Sequence, residues 1–202
     1  MKELNKENER HPLEPFLPEG AKILMLGSFP PKKERWSMDF FYPNFINDMW
    51  RIIGTIFFSD KDHFLVPSLC RTRSKEEKKF DRERIIRFCT EKGIALYDTA
   101  SEVIRLQDNA SDKFLEVVTP TDLHAMLKKI PECRAIVTTG EKASGIVSET
   151  FGCEIPKTGE YTEIPEHGLK FYRMPSSSRA YPLPLDKKAE VYRAMFSDLE
   201  IL

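Results

Sequence analysis

The chain has 202 residues, 41% of them hydrophobic and 31% charged, with a net charge of −1. That length suits one domain with a sizeable core, and the balance is that of a globular protein. No apolar run reaches the roughly 20 residues of a membrane span, the N-terminus MKELNKENERH lacks the apolar stretch of a secretory signal, and the near-neutral charge excludes a strongly basic nucleic-acid-binding domain. A cytoplasmic location is the expectation.

Residues 1–19 are polar and dotted with Pro12, Pro15 and Pro18. They read as an N-terminal arm, with Phe16 and Leu17 as the residues that pack onto the body. Residues 20–202 read as a single domain. Its first strand is Ile23–Leu26, a short apolar run of the kind buried in a parallel sheet. The run ends in Gly27-Ser28-Phe29-Pro30-Pro31. That loop lacks the glycine spacing of a dinucleotide or P-loop cradle. It offers a position without Cβ, an aromatic ring and a stiff backbone. A small basic group, Lys32, Lys33 and Arg35, follows.

Asn44–Phe58 has helical spacing with a wide apolar face, and residues 59–75 read as a loop. Lys78–Lys92 reads as a helix stopped by Gly93. Residues 71–87 hold eight basic and four acidic side chains, as a solvated helix face would. Ile94–Asp98 is the second strand. Residues 99–118 read as a long irregular connection. Thr121 or Thr119 is expected to cap a helix running to Ile130, with Pro120 favouring its start. Ala135–Thr138 is the third strand, and a helix over Glu141–Phe151 follows Gly140. Leu169–Met174 is the fourth strand, ending at Pro175, and Asp186–Leu199 is the closing helix. This alternation predicts an α/β fold: a three-layer α/β/α sandwich around a short, mainly parallel four-stranded sheet.

In such a sheet ligands bind beyond the carboxyl ends of the strands. Those ends are Gly27-Ser28-Phe29-Pro30, Tyr97-Asp98, Thr138-Thr139-Gly140 and Met174-Pro175-Ser176-Ser177-Ser178-Arg179. An aromatic, an acid, hydroxyls and an arginine then converge on one pocket suited to a flat, polar heterocycle. Cys70, Cys89, Cys133 and Cys153 and the four histidines are scattered. Reduced thiols are expected, and nothing argues for a metal or an iron–sulfur cluster.

Residues 23–54 resemble the opening of the uracil-DNA glycosylase superfamily, closest to its hypoxanthine-DNA glycosylase-like branch. The resemblance rests on Leu26-Gly27-Ser28-Phe29-Pro30, on Phe41-Tyr42, and on Asn47 three residues before Trp50. The strand ending in Pro175-Ser176 matches a second hallmark. Ala95-Leu96-Tyr97-Asp98 and Asn109-Ala110-Ser111-Asp112 fall between them in the right order. Phe29 stands where many members carry Asp or Asn, Asn44-Phe45 where the branch often has His-Pro, and the usual His after the second motif is absent.

The resemblance implies a monofunctional DNA glycosylase of base excision repair, a hydrolase without cofactor, acting as a monomer on DNA. It would cleave the N-glycosidic bond of a deaminated base: uracil, hypoxanthine or xanthine. Asn47 would orient the water, an amide being unable to take a proton at neutral pH. Ser28 would meet the base through its backbone beside Gly27, with Phe29, Phe41 or Tyr42 stacking on it and Asp98 reading its edge. Pro175, Ser176, Ser177, Ser178, Arg179, Lys32 and Lys33 would hold DNA. Arg179 or Tyr181 would wedge into the vacated stack.

Plainer readings stand beside these. Asn47 can be a polar residue in the first turns of a helix, Asp98 a turn cap, and the aromatics core. A binding module without catalysis, or an enzyme on free nucleosides, remain the alternatives.

Overall fold

The structure, a computed structural model, describes residues 8–67, 79–106 and 114–202. The expected Asn109–Asp112 segment, the start of the second helix at Lys78 and the basic residues Arg71–Lys78 lie outside that set.

All four expected strands form and run parallel. β2 (Ile23–Gly27), β3 (Ile94–Asp98), β6 (Ala135–Thr138) and β8 (Leu169–Arg173) are hydrogen-bonded in the order β3-β2-β6-β8. Every residue of β2, β3 and β6 is buried, which explains their unbroken apolar runs. The register sets Gly27 beside Asp98 and Leu26 beside Thr138. The strands therefore end level, at one edge.

The sheet is larger than a four-stranded parallel one. β7 (Tyr161–Ile164) adds an antiparallel edge strand on β8, reached through the 3₁₀ turn Pro165–His167 and Gly168 at φ +62°. A second, three-stranded antiparallel sheet is built from β1 (Asn8–Arg10), β4 (Ala100–Arg105) and β5 (Leu115–Pro120), in the order β1-β4-β5. It uses chain read as arm and as irregular connection. Phe29, Ala100, Val103 and Leu115 form its own small core, which sets it directly behind the loop that follows β2. Phe16 pairs with Leu96 along the free edge of β3.

The helices are α1 (Met49–Phe58), α2 (Arg82–Lys92), α3 (Leu123–Lys128), α4 (Glu141–Phe151) and α5 (Leu185–Asp198). Asp81 caps α2, and its carboxylate accepts from the Arg84 amide at 3.1 Å. Asp122, rather than Thr119 or Thr121, caps α3. Pro120 and Thr119 are still in β5, and the Thr121 hydroxyl donates to the Asp98 carbonyl at 2.8 Å.

The helix expected from Asn44 begins only at Met49. The Asn44 side-chain oxygen accepts from the Ile46 amide at 3.1 Å, and that of Asn47 from the Met49 amide at 2.9 Å. These local bonds outcompete the helical ladder. Beneath them Trp50 is fully buried and donates from Nε1 to the Phe41 carbonyl at 3.1 Å.

Candidate functional site

Gly27 ends β2 at a close approach. A Cβ there would lie 2.3 Å from Asp98 Oδ1, so glycine is what lets the carboxylate lie across the strand end. The following turn is pinned. The Gly27 carbonyl accepts from Thr99 N at 2.9 Å, and the Ser28 carbonyl from Ala100 N at 3.2 Å. Phe29 packs into the small sheet, with the Arg105 guanidinium 5.9 Å from its ring centre. Arg105 in turn pairs with both oxygens of Glu9 and donates to the Pro30 carbonyl at 3.1 Å.

Tyr42 holds a left-handed backbone, φ +51°, uncommon for an aromatic residue. Its hydroxyl stands 3.3 Å from Thr139 Oγ1 and its ring meets Trp50 edge to face. Burial, above all, pushes its phenol pKa up; the Thr139 bond pulls the other way.

The serine turn after β8 closes the opposite side. Ser176 Oγ accepts from Ser178 N at 3.2 Å and Ser178 Oγ from Ala180 N at 3.3 Å. Each hydroxyl therefore keeps its own proton to donate. Ser177 is buried, and its carbonyl accepts from the Asp48 amide at 2.9 Å. Asn47 pairs with Ser178 as an isolated bridge. Pro175 lies below, its carbonyl bonded to the buried Tyr192 hydroxyl at 2.8 Å.

An ionic cluster locks this turn to two helices. Asp48 takes Arg179 at 2.6 and 3.1 Å, with Lys188 Nζ at 3.8 Å and Arg51 at 4.0 Å. Lys188, whose side chain is 1% exposed, also donates to the Ser178 carbonyl at 2.7 Å. Burial lowers the Lys188 pKa, Asp48 opposes that, and Arg179 adds to it.

The N-terminal segment supplies the remaining wall. His11 Nε2 lies 2.8 Å from Asp98 Oδ2, and its side chain is 2% exposed. Its Nδ1 faces Leu13, 2.8 Å from the carbonyl and 3.2 Å from the amide.

These parts surround one cavity of about 650 Å³. Gly27, Ser28, Phe29, Tyr42, Asn47, Asp98, Ser176, Ser177, Ser178 and Arg179 all line it, as do Phe41 and Thr139. Pro175, Lys32 and Lys33 are not in the lining. Lys32 and Lys33 are exposed nearby, Lys33 over the Trp36 ring at 5.5 Å. Two exposed apolar side chains, Ile46 (56%) and Tyr181 (37%), are also among its residues. Among the described residues Asp98 is the one carboxylate in the lining. Among the described residues no group of three His, Cys, Asp or Glu stands together to hold a metal.

Sequence reasoning passed over His11, Asp48 and Lys188. His11 carries no periodic or motif signal, and Lys188 reads as one more charge on a solvated helix.

The chain is similar to a solution NMR structure described as a "putative Uracil DNA glycosylase from Methanosarcina acetivorans", with a TM-score of 0.61 and 21% identity, over 96% of this chain and 99% of that one. The chain shares that protein's fold. At this identity the likeness is one of architecture. No protein-family model matches the chain, and no curated protein does.

Proposed function

We propose that the chain is a member of the uracil-DNA glycosylase superfamily and acts as a DNA glycosylase. It hydrolyses the N-glycosidic bond of a deaminated base, uracil, hypoxanthine or xanthine. One observation carries this reading: the Asn47 amide meets the Gly27-Ser28-Phe29 loop and the Ser176–Ser178 turn around a single cavity. The fold shared with a protein described as a putative uracil DNA glycosylase supports it. So does the volume, about 650 Å³, within the roughly 300–1,000 Å³ of small-ligand sites.

A base inside a duplex must leave the stack to react. The flipped base lies against Phe29, Phe41 and Tyr42, with Asp98 at its edge. Asn47 Oδ1 spends one lone pair on the Met49 amide, and the second accepts a hydrogen bond from the attacking water and so orients it. The water oxygen bonds to the sugar C1′, the C1′–N bond breaks, and its electron pair leaves with the base. The spare water proton passes to solvent. Catalysis here is positioning and electrostatics. Water is the nucleophile, as in a monofunctional enzyme.

Ser176 and Ser178 donate to the phosphates, beside Lys32 and Lys33, while buried Ser177 holds the turn. Arg179 is committed to Asp48, so Tyr181 is the better wedge of the two. The enzyme works as a monomer without cofactor.

The test is strand cleavage at abasic sites, on duplexes carrying uracil, hypoxanthine or xanthine. At least one is expected to be cut. Asn47→Ala should lower its rate on the order of a hundredfold, and Asn47→Asp, which keeps the bond to the Met49 amide, separates catalysis from folding. No abasic sites on any duplex, beside a working control enzyme, refutes the proposal. Unchanged turnover in Asn47→Ala refutes the residue's role.

A further inference from the structure

We propose that His11 is a positioning residue that aims Asp98, and that the pair restricts the cavity to bases presenting a ring N–H at that edge, as uracil, hypoxanthine and xanthine do, against those presenting a ring nitrogen lone pair, as cytosine and adenine do. The inference rests on the glycosylase reading, in which Asp98 meets the base edge, and adds to it His11 and the kind of edge that the pair accepts.

Two protonation forms of His11 suit a carboxylate at 2.8 Å from Nε2. In the neutral one, Nε2–H donates to Asp98 Oδ2 and Nδ1 accepts from the Leu13 amide. In the charged one, both nitrogens donate, Nδ1 to the Leu13 carbonyl. Either way Asp98 receives a proton donor on Oδ2 and turns its other oxygen away. Oδ1 lies over Gly27, where a Cβ would stand 2.3 Å off. Among the described residues no donor bonds to it, and Asp98 lines the cavity.

A carboxylate oxygen only accepts. A base edge carrying N–H pairs with it, and a lone pair held against it is repelled. An amide in the same place could rotate and serve either edge, so the acid discriminates where an amide would not. The discrimination requires the carboxylate to stay put. A residue from the N-terminal segment, clamped by the Leu13 backbone on its far side, provides that.

Ligand-observed NMR on the full chain, with free uracil, cytosine, hypoxanthine and adenine as probes, tests this without any bond being cleaved. Uracil and hypoxanthine should bind about tenfold or more tightly than cytosine and adenine, the worth of one charge-assisted hydrogen bond. Asp98→Asn should bring both ratios to within about threefold of one. His11→Leu should weaken uracil binding about tenfold, and His11→Gln, which restores an N–H near the Nε2 position, should recover most of it. Should His11→Leu fail to fold, Asp98→Asn and His11→Gln carry the test. The idea is overturned by ratios that ignore Asp98→Asn, by a His11→Leu variant that binds uracil as well as the parent, or by no free-base binding at all. Excision by a protein whose base preference ignores both residues would sink this inference and leave the glycosylase standing. The predicted ratios in a protein that cuts nothing would do the reverse.

Discussion

Gly27 shows how much one missing carbon decides. The Asp98 carboxylate occupies the space a side chain at Gly27 would need, so the acid and the glycine form one unit. Gly27→Ala is expected to displace the carboxylate. On the proposed glycosylase reading excision should fall at least tenfold, and stability by about 1–3 kcal/mol, the usual cost of overpacking; initial rates and urea unfolding on the same preparation check both. The pairing was legible in outline, because two parallel strands that end together bring their last residues side by side. Asn47 was legible through its spacing to Trp50. Its local setting was not: it lies just ahead of α1 rather than in its first turns, its Oδ1 accepts from the Met49 amide, and it lines the cavity. His11 was not legible. Its partner lies 87 residues away, and no local pattern encodes a contact across that distance.

Among the elements, α1 and α5 matter most, because both are fastened to the serine turn. Asp48 at the head of α1 bonds to Ser177 and Arg179, and Lys188 in the first turn of α5 reaches the Ser178 carbonyl. Removing the Lys188 ammonium leaves Asp48 its Arg179 but takes from the Ser178 carbonyl its charged donor. Lys188→Met should therefore lower unfolding free energy by about 2 kcal/mol and, on the proposed glycosylase reading, raise KM for a damaged duplex more than it lowers kcat, since the serine turn is loosened. Urea titration and steady-state kinetics read the two effects. The four parallel strands were plain in the sequence because burial on both faces leaves uninterrupted apolar runs. The second sheet was not. β4 buries only Ala100 and Val103, a spacing of three imposed by register shifts around Glu102. Two-residue alternation, the signal of a strand, is erased there.

At the scale of the molecule, burial has a consequence for alkaline stability. It pushes the Cys133 thiol up to about 11 and the Tyr97 phenol up to about 12. Cys89, Tyr42 and Tyr192 are raised by the same cause. Unfolded, a cysteine titrates near 8.5 and a tyrosine near 10. Between those values and the raised ones the unfolded chain holds fewer protons than the native one, so stability falls as pH rises. The contribution is fully present below about pH 8.5, and the urea midpoint should drop progressively above it. A flat midpoint from pH 8 to 10.5 would contradict the assignment of these groups as buried. Among the described residues no helix is long and apolar enough to cross a membrane.

The left-handed turn at Tyr42 has a last implication. Glycine would adopt that backbone freely, whereas an aromatic there forgoes about 1 kcal/mol. The ring's edge contact with Trp50 and the hydroxyl's bond to Thr139 offset part of that cost. Tyr42→Gly would relax the turn yet strip Trp50 and Thr139 of their partner and, on the proposed glycosylase reading, leave the flipped base one ring short.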